Sequence, residues 1–188
     1  RLMKKRTAVV LIHFEINNKL AMNKELDELR FSKLKELIFE HPIYDTGMFI
    51  ISENLKTNHS PRMLQLKHEV DNEMPQSYWH ELDDNVKSIE DIKKEAAKAG
   101  YEIGNVIIAG QNLAGCVLRS LDYSAFKWAN QGHNAQIVLS MCGDYEISGI
   151  GPLKYMNSFS SLYSQVKKSG MIDKIDIVSD IDNIKFDE

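Results

Sequence analysis

The groups most able to do chemistry in this chain cluster, by type and spacing, around one cysteine. Cys116 closes the stretch Asn105-Val-Ile-Ile-Ala-Gly-Gln-Asn-Leu-Ala-Gly-Cys116. Val106–Ala109 is apolar at every position, the mark of a strand buried on both faces of a parallel sheet. Gly110 ends that run. Beyond it the apolar residues Val117, Leu118, Leu121, Ala125, Trp128 and Ala129 recur at helical spacing, which predicts one long helix starting near Leu113. Cys116 then falls in the first helical turn, where unpaired N–H groups and the positive end of the helix dipole favour a thiolate. The residue type also fits a second role, since free cysteines often serve only to fill a core.

Further candidates stand at the ends of other expected strands. Ala8–Ile12 is apolar throughout and runs into His13-Phe14-Glu15. Ligands in open α/β sheets bind outside the carboxyl ends of the strands, so His13 and Glu15 share a mouth with Cys116. Each also has a plainer reading, as a strand-end hydrogen-bonding group and a solvated carboxylate. Met48–Ile51 forms a second strand ending in Ser52, Glu53 and Asn54. His59, His68 and His80 match no metal-ligand spacing, and Gly149-Ile-Gly-Pro152 lacks the lysine and hydroxyl residue of a phosphate loop.

The elements that must carry these groups alternate. A helical stripe through Leu26, Leu29, Leu34, Leu37 and Ile38 follows the first strand. Residues 55–87 are hard to assign, with Tyr78-Trp79 a weak third strand or an aromatic loop. Ser88, with Asp91 three residues on, predicts a helix N-cap, and Gly100 a C-terminal stop. Ala135–Leu139 and Ile175–Val178 are further strands, with a helix through Phe159, Leu162, Tyr163 and Val166 between them and a loop over 145–157. Strand–helix alternation predicts a three-layer α/β/α sandwich with a mainly parallel sheet of five or six strands.

Composition narrows the class of partner. A chain of 188 residues with a formal charge of −4 suits one domain with its own core, over residues 7–188, behind a flexible basic end at 1–6. Net acidity without clustered Lys or Arg argues against a nucleic-acid surface. No apolar run is long enough to span a membrane, and no signal segment precedes Thr7. Cys116 and Cys142 are the two cysteines, read as reduced thiols in a cytoplasmic compartment.

In this setting Val106-Ile-Ile-Ala-Gly110, five residues, then Cys116-Val117 resembles the nucleophile turn of the isochorismatase-like cysteine hydrolases, which include nicotinamidases and N-carbamoyl amidohydrolases. The later elements follow the family's order. The resemblance implies hydrolysis of a small amide through an Asp–Lys–Cys triad, a homo-oligomer, no cofactor, and an oxyanion turn at Asn112, Leu113 and Gly115 with a cis Asn112–Leu113 bond. Isochorismatase itself uses no thiolate, so membership does not fix the reaction.

The sequence departs from that pattern at two of the three triad positions. His13 occupies the aspartate's place, with Glu15 where the family often has glutamine. The lysine's place falls near Tyr78, Trp79 or His80, and Lys87 is too close to the next helix. The nicotinamidases' metal-binding Asp-x-His is replaced by Ser52-Glu53-Asn54. Two readings follow. One is a cysteine hydrolase acting on a small molecule, with Cys116 as nucleophile, His13 as base and Glu15 assisting. The other is an inactive binding or oligomeric scaffold on the same fold.

Overall fold

The computed structural model describes residues 3–14, 24–41, 47–57, 60–85, 87–111, 113–143 and 152–187. In chain order the elements are β1 (Lys4–Ile12), α1 (Lys24–Phe39), β2 (Phe49–Ser52), α2 (Pro61–Glu73), β3 (Tyr78–Glu81), α3 (Ile89–Lys98) and β4 (Tyr101–Gln111). A π-helix (Leu113–Ser120), α4 (Ala125–Asn130), β5 (Ala135–Gly143), α5 (Pro152–Ser169), β6 (Ile175–Val178) and a 3-10 turn (Ile181–Asn183) complete them.

One six-stranded sheet runs in the order β3-β2-β1-β4-β5-β6, and every neighbouring pair is parallel. Alternate residues of the central strands go to opposite cores. Val10, Ile12, Val106 and Ile108 meet α3, the π-helix, α4 and α5 on one face. Val9, Leu11, Ile107 and Ala109 meet α1 and α2 on the other. Both faces are dry, which is why these strands are apolar at successive positions. The three layers are those expected, and the doubtful third strand is real. Trp79, 4 % exposed, anchors it by donating its indole N–H to the Ser52 hydroxyl at 2.9 Å.

Three expectations are corrected. The basic end is not a loose tail from residue 1 to 6, because β1 begins at Lys4, and Lys4, Lys5 and Arg6 pair with Tyr101, Glu102 and Ile103. Arg6 is buried with its guanidinium over the Tyr101 ring, an arrangement that lets a basic residue join a strand. The long helix after Leu113 is two helices. The Ser124 hydroxyl accepts from the Leu121 N–H at 2.8 Å and donates to the Cys116 carbonyl at 2.5 Å, and these side-chain bonds replace the backbone ladder between the two. The loop read over 145–157 gives way to α5 from Pro152, a residue suited to a helix's first turn.

The sheet reverses direction of growth between β1 and β4, so their carboxyl ends open the crevice where such sheets place ligands. Gly110 makes this edge possible. Its φ is +151°, and a Cβ there would lie 1.8 Å from the Ile12 carbonyl oxygen, so only glycine lets β4 pass that close to β1 before the turn to Cys116.

Candidate active site

Cys116 is the fourth residue of the π-helix and is partly exposed. It lies in the first turn, as the apolar spacing predicts, where the N–H groups have no acceptor within the helix. Leu113 packs into the core at 1 % exposure and fixes the start of the turn, while Gly115 is partly exposed beside Cys116. Asn112 and Glu15 lie outside the described residues, and with them the Asn112–Leu113 bond.

His13 stands at the end of β1 with φ +47°. A left-handed histidine is uncommon, and such backbone strain persists where its surroundings hold it. The holder is Glu53, from the end of β2. The His13 backbone N–H donates to both carboxylate oxygens of Glu53, at 2.9 and 3.2 Å, and the imidazole Nδ1 lies 3.2 Å from Oε1. The next residue is clamped too. The Phe14 carbonyl accepts from the Arg30 guanidinium at 2.9 Å and from Gln111 at 3.4 Å, joining α1 and β4 to the end of β1.

Tyr123, on the bend after the π-helix, is buried at 9 % exposure and feels the charges of Glu53 and Cys116. Burial pushes the Glu53 carboxyl up, against the opposing pull of the His13 charge and of the bonds from the His13 N–H. Burial, then the charges of Glu53 and Cys116, pushes the Tyr123 phenol up. The second cysteine is of another kind. Cys142 is 2 % exposed, and burial raises its thiol to about 11, the condition of an inert core residue.

At the end of β3, Glu81 accepts from the Leu55 N–H at 2.8 Å and from Lys67 at 2.7 Å, so Lys67 is engaged there, and Lys87 is exposed. The Ser52–Asn54 segment does not suit a metal. Ser52 accepts from Trp79 and donates to the Glu53 carbonyl, Glu53 holds His13, and Asn54 accepts from the Thr57 N–H. Among the described residues no group of three His, Cys, Asp or Glu side chains could hold a metal ion.

No protein-family model matches the sequence, and no curated protein is similar to it by sequence. Solved structures are similar in fold. The nicotinamidase SaPncA from Staphylococcus aureus superposes with a TM-score of 0.55 at 13 % identity, over 92 % of this chain and 98 % of that one. The fold is that of the isochorismatase-like hydrolases. The MAR1 ribonuclease from Caenorhabditis elegans also superposes at 0.55, with 15 % identity over 96 % of this chain and 79 % of its own. Within this fold, His13 and Glu53 pair at the crevice edge from which the turn carrying Cys116 leaves. Sequence reasoning marked His13 and Cys116 but assigned no role to Glu53. A signal for Glu53 existed, because β1 and β2 are parallel neighbours with Leu11 opposite Ser52, so residues just past their ends meet. Among the described residues no helix is long and apolar enough to cross a membrane.

Proposed function

We propose that this protein is a small-molecule cysteine hydrolase cleaving a C–N bond of an amide, with Cys116 as nucleophile and a His13–Glu53 pair in place of the usual Asp–Lys pair. The observation that carries the reading is the pairing of His13 with Glu53, in strained backbone, on the crevice edge that also carries Cys116. The carboxylate then comes from the end of β2 and the basic imidazole from the end of β1.

In the proposed reaction Glu53 orients the His13 ring through Nδ1, and His13 takes the thiol proton. The sulfur bonds to the amide carbon as the carbonyl π electrons move to oxygen, and first-turn N–H groups stabilise that oxyanion. The C–N bond then breaks, with the proton passing from His13 to the departing nitrogen. Water deprotonated by His13 hydrolyses the thioester, releasing the acid and restoring the thiol. Reduced thiols in a cytoplasm-like compartment belong to the same proposal. So does self-association, for which the exposed Leu29, Tyr163 and Ile172 offer apolar contacts.

The test is a panel of small amides, including nicotinamide and N-carbamoyl amines, with a short RNA added because one fold neighbour is a ribonuclease. Wild type should turn over at least one amide, and Cys116→Ala should lose on the order of a thousandfold or more. Equal turnover by the two proteins would remove Cys116 from the chemistry. RNA cleavage that survives Cys116→Ala would replace the reading altogether.

A further inference from the structure

We propose that Arg30 of α1 is a positioning residue of this site, its buried guanidinium fixing the end of β1 so that His13 stays paired with Glu53. The inference rests on the reading of Cys116 as nucleophile and His13 as its base, and it adds a residue to which neither the resemblance nor the strand-end pattern points. His13 has a left-handed backbone, which relaxes to extended geometry unless the chain is held on both sides of it. Glu53, from the end of β2, holds the near side by accepting the His13 N–H. That bond leaves the far side free, where the chain continues through Phe14.

Arg30 supplies the second hold. It is 2 % exposed. Its Nη2 donates to the Phe14 carbonyl at 2.9 Å, and the guanidinium lies over the Phe14 ring, 4.7 Å from its centre. One side chain thus grips both the backbone and the ring of the residue that follows His13. Nε donates to the Met141 carbonyl of β5 at 3.4 Å, and Nη1 donates to Asp27, one turn earlier on α1, at 3.1 Å. Gly143 makes room for this, since a Cβ there would lie only 3.4 Å from Nε. The planar fork ties the ends of β1 and β5 to α1 and sets the direction of the Phe14 carbonyl, which a flexible ammonium would not do. Taking a permanent cation out of water is costly, and an apolar side chain would fill the same space without that cost. The arginine alone holds the Phe14 carbonyl and ring together, and with them the His13 backbone.

The readout is the resonance of the His13 backbone N–H in nitrogen-15 spectra of the full chain, which needs no substrate. An N–H that donates to a carboxylate resonates downfield. In Arg30→Met, which fills similar space without donors, the His13 N–H should loosen from Glu53 and move upfield. Arg30→Lys keeps the cation but loses the fork, so the same movement should be smaller. On any amide that wild type turns over, kcat should fall about tenfold in Arg30→Met with KM little changed, the scale of one hydrogen bond to a charged group. A role confined to the fold would lower the melting temperature and leave the His13 N–H where it is. A wild-type His13 resonance in folded Arg30→Met, or in Arg30→Lys where only that variant folds, therefore overturns the proposal. So does an unchanged kcat on a hydrolysed amide, or failure of both variants to fold. If the His13 N–H moves in the variants but wild type hydrolyses no amide, the positioning role stands and the hydrolase reading falls.

Discussion

At the scale of single residues the site places two unfavourable features together, a left-handed histidine and a mostly buried carboxylate. Neither is required to close the sheet, and proteins retain such strain where function uses it. The ledger for Glu53 can be separated from its role in chemistry by Glu53→Gln. The amide is isosteric and its carbonyl still accepts the His13 N–H, but it carries no charge to desolvate. The variant should melt no lower than wild type at neutral pH while amide turnover falls on the order of a hundredfold. Thermal melting and turnover measured on the same preparation check this. A large loss of stability would mean that the ion pair is structural.

At the scale of elements the legibility of the sequence followed burial. Strands β1, β2 and β4 could be read because both faces are dry and the apolar run is unbroken, and β5 and β6 because a single polar residue, Gln136 or Asp176, interrupts theirs. The α3 cap could be read because Ser88 and Asp91 are local, and the bonds form as expected, Asp91 N–H to Ser88 Oγ at 3.2 Å and Ser88 Oγ to Asp91 Oδ2 at 2.8 Å. Helix α2 was missed because only Met63, Leu66 and Val70 of its thirteen residues are buried, too sparse a stripe to stand out among charges. The break after Ser120 was missed because Leu121 and Ala125 keep the helical period across it, while the cause, the Ser124 hydroxyl, is polar and counts for nothing in an apolar pattern. Pairings across 40 residues, such as His13 with Glu53, leave no periodic trace at all. The Ser124 hydroxyl is therefore the element-scale test. It is fully buried, and Ser124→Ala strands the Leu121 N–H and the Cys116 carbonyl, a loss of roughly 1–3 kcal/mol. Urea unfolding should show that loss, and labelling of Cys116 should slow because the turn carrying it is no longer fixed. Unchanged labelling with lowered stability would confine Ser124 to the fold.

At the scale of the whole molecule, three imidazoles outside the site set how stability depends on pH. His41, His80 and His133 are held below the usual histidine value, in each case chiefly by burial, and each has a buried ring nitrogen with no hydrogen-bond partner among the described residues. They are spread over the fold. His41 lies against Phe186 of the C-terminal segment, His80 faces Phe49, and His133 sits edge-on to Trp128. Near neutral pH and above, these rings are neutral in both folded and unfolded chains and cost nothing. As pH falls through the unfolded value of about 6.5, the unfolded chain takes up protons that the folded chain refuses, so stability falls and continues to fall until the folded rings also protonate. Glu53 opposes this, since its raised carboxyl binds a proton more readily when folded, but it is one group against three. Asp180 and Glu81, held low, with Lys33 and Lys67 respectively among their partners, add to the loss only at more acidic pH, as they begin to protonate. The urea midpoint should therefore drop between about pH 7.5 and about pH 5, before ordinary carboxylates titrate. His41→Phe keeps the ring against Phe186 and removes one titrating group, so the drop should shrink in that variant while the midpoint at the higher pH stays or rises. A pH dependence unchanged by His41→Phe would move the cause to the other two imidazoles, and a midpoint flat across the interval would exclude all three.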